Sequence, residues 1–385
     1  MKHTYHLLGV PHTISSTKYN ACAYTQKIVK FGRMMTERGH TVYHYGHEDS
    51  DLVCTEHVTV ITNSDFDKVY GSHDWKNNVF KYDTQDAVYQ TFYANAIKEI
   101  EKRKKKHDFL LPFWGAGVKP ICDAHNDMIV VEPGIGYGSG HWAKWRIWES
   151  YAIYHAFCGL KNVGKCQQNN YDVVVPNYFD ANDFTYNDKK EDYFLYLGRV
   201  YNGKGVHIAI DATKRAGVKL VIAGQKAADY SFPDHVEFVG YADIETRKKL
   251  MANAKAAFLP SQYLEPFGGV QIENLLSGTP TITSDWGAFA ENNLHGITGF
   301  RCRTMGDYVD AIKNIDQIKS SDCRKWGENF ITDKIAPRYE KYFEDVLDTY
   351  TGKGWYSEGN GINVLKMEYP EYSNLILETK DSTPS

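Results

Sequence analysis

The stretch "AAFLPSQYLEPFGGVQIENLLSGTPTITSD", residues 256–285, decides the fold class. The apolar run "AAFLP" predicts a buried strand, the pattern at 269–277 predicts an amphipathic helix, and "PTITSD" at 280–285 predicts a second strand. A helix between two strands is the connection that parallel strands need. Glu265 stands in the loop where the first strand ends, and Glu273 lies eight positions later, on the helix.

The same alternation extends along the chain and restarts once, near residue 171. Two such blocks predict an α/β protein of two Rossmann-like, doubly wound domains that face a central cleft. We expect an N-terminal domain at 1–173, a second domain at 174–336, and a C-terminal helix and tail at 337–385 that return to the first domain. Strands are predicted at 5–10, 40–46, 57–62, 108–114, 128–134, 171–180, 193–199, 219–224, 236–240, 256–260 and 280–285. Helices are predicted at 23–39, 84–106, 141–157, 204–216, 243–253, 269–277 and 327–350.

Composition is that of a globular protein. Of the 385 residues, 42% are hydrophobic and 24% are charged, which is ordinary for such chains. No run of eighteen apolar residues predicts a membrane span, and the start "MKHTYHLLGVPHT" has no signal-peptide core. The seven cysteines show no CxxC pairing, which favours the cytoplasm over a disulfide framework and argues against a zinc site. The net charge of −4 gives no overall attraction to nucleic acid.

The polar motifs cluster where predicted strands end. Gly268 and Gly269 open a helix, whose N-terminus offers backbone donors and partial positive charge to an anion. Arg199 and Lys204 bracket the turn after strand 193–199. Two cations beside a helix start can hold a diphosphate without a metal. Each residue alone fits a solvated loop, and only their combination indicates a binding site.

The motifs "YLGRVYNGKGVHIAIDA", "KLVIAG", "VEFVGYAD" and "AAFLPSQYLEPFGGVQIENLLSGTPTITSDWGAFAE" resemble the C-terminal domain of retaining GT-B glycosyltransferases of family four, over about 171–335. The resemblance implies that Arg199 and Lys204 bind the donor's diphosphate, that Glu265 contacts the donor sugar, and that Glu273 holds the ribose hydroxyls. It implies transfer of a sugar from a nucleotide-diphosphate sugar to a hydroxyl group, with retention of configuration and without a metal. The first choice of donor is a UDP-sugar, and no further cofactor is implied. The implied donor-binding residues are Gly198, Gly224, Glu265, Phe267, Gly268, Gly269, Val270 and Glu273.

The N-terminal half departs from that family's pattern. The glycine pair usual after the first strand is absent, and Gly9 stands alone. The place of the family's usual histidine falls in "VVEPGIGYGSGHW", so Glu132, His12 or His141 are candidates. We take His12 and Glu132 with Arg199, Lys204 and Glu265 as candidate catalytic residues. On the acceptor side of the cleft we add Tyr19 and Tyr137.

The acceptor has two candidate classes. A second resemblance, to phage- and virus-type glycosyltransferases, implies either a surface glycan or a 5-hydroxymethylated DNA base. DNA would use the basic run Lys102–Lys106 and stacking aromatic residues; the net charge of −4 favours a glycan or saccharide. If the protein is viral, its location is the host cytoplasm. The alternatives to a transferase are a nucleotide-sugar epimerase and a non-catalytic sugar-binding module.

Overall fold

A computed structural model describes residues 1–19, 22–71, 76, 82–137, 140–161, 168–226 and 230–356. Its N-terminal sheet contains seven parallel strands in the order β3-β2-β1-β4-β5-β6-β7 within these residues. The order reverses between β1 and β4, the position where open α/β sheets form a ligand crevice. In chain order the strands are β1 Thr4–Leu8, β2 Thr41–His47, β3 Glu56–Ile61, β4 Phe109–Leu111, β5 Ile129–Ile135, β6 Trp145–Trp148 and β7 Asp172–Val174.

The second sheet contains six described parallel strands in the order β10-β9-β8-β11-β12-β13. Its order reverses between β8 and β11, so the loops after these two strands open onto a second crevice. The strands are β8 Phe194–Leu197, β9 Leu220–Ala223, β10 Val236–Gly240, β11 Ala256–Leu259, β12 Thr281–Ser284 and β13 Gly299–Cys302.

Helices cover both faces of each sheet. Phe109 and Leu111 belong to one core and Leu110 to another on the opposite face, which explains why the strands read as continuous apolar runs. None of the helices in the described residues is long and apolar enough to cross a membrane. The helices are α1 Ala23–Glu37, α2 Asn63–Tyr70, α3 Ala87–Glu101, α4 Lys119–Ala124, α5 Tyr151–Lys161, α6 Val206–Ala216, α7 Ile244–Asn253, α8 Gly269–Leu276, α9 Phe289–Asn292, α10 Met305–Asn314, α11 Ser320–Gly327 and α12 Thr332–Thr351.

Two segments join the halves of the molecule and run side by side. Phe179 donates its N–H to Phe330 O (3.0 Å), and Thr332 donates its N–H to Phe179 O (2.9 Å). Helix α12 then packs on the N-terminal core through Tyr339 and Phe343, both of which are buried. The chain therefore crosses twice between its halves, at one place. The tail from residue 357 lies outside the described residues.

The predicted fold class is confirmed: two parallel, Rossmann-like sheets form an α/β protein. The predicted helix at 141–157 is wrong in its first half, where β6 runs between β5 and β7. Tryptophans three apart fit a helix face, but Trp145 and Trp148 are buried in the sheet. Buried Arg146 pairs with Asp172 on β7 at 3.0 Å, and Trp148 Nε1 donates to the same carboxylate at 2.8 Å. These polar contacts allow a strand with an arginine in it to be buried.

Candidate active site

The carboxyl ends of β8 and β11, the pair where the strand order reverses, bring Lys204 and Glu265 together. Lys204 ends the short helical turn after β8, and Glu265 lies in the loop after β11. Lys204 Nζ donates to Glu265 Oε2 at 2.8 Å, and Ser261 Oγ donates to the same oxygen at 2.9 Å. The ammonium also lies 4.8 Å from the centre of the Tyr263 ring. Only 10% of the Glu265 side chain and 25% of the Lys204 side chain are exposed, so water screens this ion pair only partly.

The loop that follows Glu265 leads into the N-terminus of α8. Gly268 has a φ of 80° in the left-handed region, and a Cβ there would lie 2.4 Å from the Phe289 ring. Only glycine fits this turn. Phe267 is buried beneath the loop, and Asn292 Nδ2 donates to its carbonyl oxygen at 2.8 Å. The amides at Gly269 and Val270 begin the helix, where backbone donors have no intrahelical partner. The arrangement can bind an anion next to the Lys204 ammonium.

The second carboxylate forms a separate ion pair. Arg247 on α7 donates to Glu273 Oε2 at 2.6 Å, and both side chains are partly exposed. Arg247 also lines a cavity of about 110 Å³ at the carboxyl ends of β8 and β9. Arg247 was not among the sequence-predicted residues, because nothing in the sequence marks its contact with a glutamate 26 positions away.

Gly198, Arg199 and Gly224 line the same cavity. A Cβ on Gly224 would lie 2.0 Å from Gly198 O, so the close approach of the two strand ends requires this glycine. Arg199 is exposed, with its guanidinium 5.8 Å from the centre of the Tyr201 ring. Burial raises the pKa of Tyr24 on α1, and the Arg199 charge partly opposes that rise. Arg199 therefore lies near Tyr24, which belongs to the side of the cleft formed by the N-terminal half, the N-terminal wall.

His12 lies in that wall, after β1, and a chain of hydrogen bonds through Tyr89 connects its ring to Trp114. Trp114 Nε1, which can only donate, lies 2.9 Å from Tyr89 Oη. Tyr89 Oη accepts this bond and also shares a hydrogen bond with His12 Nδ1 at 2.8 Å. The ring of Tyr82, which is 46% exposed, stacks on His12 with 4.2 Å between ring centres.

The other acceptor-side candidates differ in exposure. Tyr137 follows β5 and lies 5.0 Å from Tyr24, ring centre to ring centre. Tyr19 is buried, with its carbonyl oxygen bound by Gln26 at 2.8 Å. Glu132 is completely buried, and its Oε2 accepts N–H bonds from residues 142 and 143 at 3.0 and 2.9 Å. Burial raises the pKa of Glu132 to about 7. Glu132 thus braces the loop below the cleft and does not line its surface.

His141, the third candidate for the family's histidine, is also buried. Its ring stacks against Tyr137 at 5.1 Å and meets Phe157 edge-on at 4.4 Å between ring centres. Burial lowers the pKa of His141 to about 4. The ring is therefore neutral near pH 7 and acts as part of the packing.

A buried pair that the sequence did not point to lies beside this wall. Lys27 on α1 forms an ion pair with Glu149, which directly follows β6. Lys27 Nζ also donates to Gly134 O at 2.8 Å, and Asn177 Nδ2 donates to Glu149 Oε1 at 2.9 Å. Lys27 thereby ties α1 to the end of β5 and to the segment after β6, and Asn177 adds the segment after β7 through Glu149. Lysine and glutamate 122 positions apart carry no local sequence signal.

The basic run lies away from the cleft. It follows α3 and precedes β4, at the amino edge of the N-terminal sheet. Arg103 pairs with Glu56 (2.6 Å) and Glu99 (2.7 Å), and Lys104 pairs with Asp127 at 2.8 Å. Its position and its ion pairs do not support the DNA interpretation. Among the residues that the structure describes, no group of three or more His, Cys, Asp or Glu side chains could hold a metal ion.

Several known proteins are similar to this chain. Residues 180–332 match the family model "Glycosyl transferases group 1". A glycogen synthase of Mycobacterium tuberculosis is 36% identical over 137 residues, 31% of this chain and 33% of that protein, so the match spans about a third of its length. An uncharacterized glycosyltransferase of Methanocaldococcus jannaschii is 27% identical over 291 residues, 63% of this chain and 71% of that protein.

Among solved structures, Anabaena HepE in complex with UDP and glucose has a TM-score of 0.63 at 15% identity. The alignment covers 89% of this chain and 99% of that one. At this identity the likeness shows the fold, which is that of the GT-B glycosyltransferases. The chain therefore has a fold of the GT-B type, and its residues 180–332 match the model of the glycosyl transferases group 1 family.

Proposed function

We propose that this protein is a retaining glycosyltransferase that moves a sugar from a UDP-sugar to a hydroxyl group of a saccharide. The observation that carries the proposal is the Lys204–Glu265 ion pair, at 2.8 Å, beside the N-terminus of α8. Glu265 offers a carboxylate to a sugar, Lys204 offers a cation to a phosphate, and the two side chains are hydrogen-bonded to each other. The family match at residues 180–332 and the UDP and glucose bound to the HepE structure support the same assignment.

The donor would lie along the carboxyl edge of the second sheet. The nucleoside would occupy the cavity near Gly198, Gly224 and Arg247, with Glu273 on the ribose hydroxyls. The diphosphate would lie between Arg199, Lys204 and the α8 amides, and the sugar would contact Glu265. Domain 174–336 is then the donor domain. Domain 1–173 supplies the acceptor side, and the described part of segment 337–385, in helix α12, packs on it.

In the reaction, the acceptor hydroxyl oxygen forms a bond to the anomeric carbon as the bond from that carbon to the phosphate oxygen breaks. The electron pair goes to UDP, and the acceptor proton passes to the leaving phosphate on the same face, which retains the configuration. The developing charge is stabilised by Arg199, Lys204 and the helix start, which are placed before reaction begins. In the folded protein Glu265 is already bound to Lys204 and Ser261, so it is not assigned as a nucleophile.

The acceptor side would use the wall around His12. Tyr82 stacks on the His12 ring and is 46% exposed, which is a suitable surface for the apolar face of a sugar ring. Tyr137 lies on the same side, in contact with Tyr24, and Tyr19 is buried. The position of the Lys102–Lys106 run at the opposite edge favours a saccharide over modified DNA.

The test is a panel of nucleotide-diphosphate sugars in thermal-shift and UDP-release assays, with saccharides and hydroxymethylcytosine DNA as separate acceptors. We expect UDP-sugars to raise the melting temperature by mass action and UDP release to depend on a saccharide. Label in DNA, with affinity that falls steeply with salt, would contradict the saccharide assignment. Conversion of the donor without any acceptor would instead identify an epimerase.

A further inference from the structure

We propose that Ser150 and Glu291 form a clasp between the two halves of the molecule, which positions the donor loop when the cleft is closed. Ser150 directly follows Glu149 and precedes α5 on the acceptor side. Its Oγ donates to Pro266 O at 2.5 Å. Pro266 stands between Glu265 and Phe267, so this bond reaches the loop whose amides lead into α8.

Glu291 makes the second contact of the clasp, and it belongs to the donor side. Its carboxylate accepts the first two N–H groups of α5, from Tyr151 at 3.0 Å and from Ala152 at 2.7 Å. A helix N-terminus attracts a carboxylate through its free amides and its dipole. Here the capping carboxylate comes from α9, which belongs to the other half of the molecule. Opening the cleft would remove this cap.

Ser150 serves both halves at once. It is buried, 2% exposed, and its Oγ also accepts the N–H of Ile153 at 3.3 Å, as an N-cap does. The residue before it, Glu149, is fixed by Lys27 and Asn177. The clasp is therefore anchored on the acceptor side, and the movable partner is the Pro266 carbonyl. The shape of the donor loop depends on the position of the N-terminal half.

The expected consequence is a shift between closed and open forms. If Ser150→Ala or Glu291→Gln lowers the closed fraction to about a tenth, apparent affinity for UDP falls about tenfold. Saturating donor closes the cleft again, so kcat falls less than about threefold in the same scheme. Replacement of a residue that only supports local packing would not weaken donor binding while leaving kcat nearly unchanged.

The experiment combines small-angle X-ray scattering with UDP titration and donor kinetics. The matched control is Glu237→Gln, an exposed glutamate that pairs with Lys219 of its own half, at 2.6 Å. We expect both clasp variants to have a larger radius of gyration than wild type without UDP, and the wild-type value with saturating UDP. The control should match wild type throughout.

The clasp is overturned if both variants keep the wild-type radius and UDP affinity, or if saturating UDP leaves their radius enlarged. The inference rests on the proposed donor site for its kinetic part only. If wild-type protein binds no UDP-sugar, the proposed function fails, while the radius of the ligand-free variants still decides whether the clasp holds the two halves together.

Discussion

Replacement of Lys204 by alanine removes one of the two cations that the proposed function assigns to the donor's diphosphate. In the folded protein its Nζ lies 2.8 Å from Glu265 Oε2, and the two side chains are 25% and 10% exposed. Lys204→Ala leaves the Glu265 carboxylate with the Ser261 hydroxyl at 2.9 Å and takes away its counter-charge.

The magnitude has two parts. Loss of a partner for a mostly buried carboxylate costs about 1–2 kcal/mol of the free energy of unfolding, because part of the pair is reached by water. That loss is small against the ~5–15 kcal/mol of a typical folded protein. In the transition state the lost charge resembles a lost oxyanion donor, worth about 2.7–4 kcal/mol, or roughly 10²–10³ in kcat.

The assay is UDP release at saturating donor and acceptor, with the melting temperature measured on the same preparations. Lys255→Ala is the matched control: its ammonium pairs with Asp192 at 3.2 Å and its side chain is 33% exposed. Lys255 stands at the amino end of β11, whereas Glu265 follows the carboxyl end of the same strand. We expect the control to stay within about twofold of wild type, as surface changes usually do.

Two results would refute this reasoning. Retention of more than a third of wild-type kcat in Lys204→Ala would show that the charge does not act on the leaving group. Equal losses in the Lys204 and Lys255 variants would show that the effect comes from general destabilisation, and not from the position at the carboxyl edge.

Further predictions concern the second carboxylate, the buried acid and the absence of a metal requirement. Glu273→Gln and Arg247→Ala should each weaken UDP binding about tenfold in calorimetric titration, about 1.4 kcal/mol, with kcat little changed; an unchanged affinity would remove both from the nucleotide site. Burial raises the pKa of Glu132 from 4.5 to about 7, so the folded state holds a proton that the unfolded chain loses, and stability falls as pH rises through that window. Glu132→Gln should therefore be more stable than wild type by about 1–3 kcal/mol near pH 8 and equal to it near pH 4.5 in urea unfolding; a gain independent of pH contradicts a buried, neutral acid. Activity should survive EDTA because Arg199 and Lys204 supply the positive charge, and loss of activity restored by a divalent ion would disprove this.

The sequence predicted the strands correctly where an apolar run is bounded by turn residues. Each of the eleven predicted strands has a counterpart, and the central strands β4 and β8 are apolar at every position because both faces of the sheet are covered there. Strand β6 was missed because "WRIW" contains a charge and because tryptophans at three-residue spacing also fit a helix. Its burial depends on Asp172, 26 residues beyond Arg146, a contact that no local pattern contains. Strand β13, Gly299–Cys302, is short and followed by arginine, and it was missed as well.

For the site, the sequence placed Lys204 and Glu265 after two predicted strands. These strands, β8 and β11, are neighbours in the sheet, so the two side chains meet. The roles given to Arg199, Lys204, Glu265 and Glu273 remain predictions. The sequence did not point to Arg247, which binds Glu273, or to Glu291, which caps α5, since both contacts form only on folding. Long-range ion pairs and caps leave no periodic signal in a sequence, whereas strand ends and glycine turns do.

The stereochemistry of the product tests the central claim most directly. The protein is incubated with an α-linked UDP-sugar and the saccharide that supports UDP release, and the anomeric proton of the product is followed by NMR from the first turnovers. Same-face attack, with UDP taking the acceptor proton beside Arg199 and Lys204, predicts an α-linked product. A β-linked product would contradict the account.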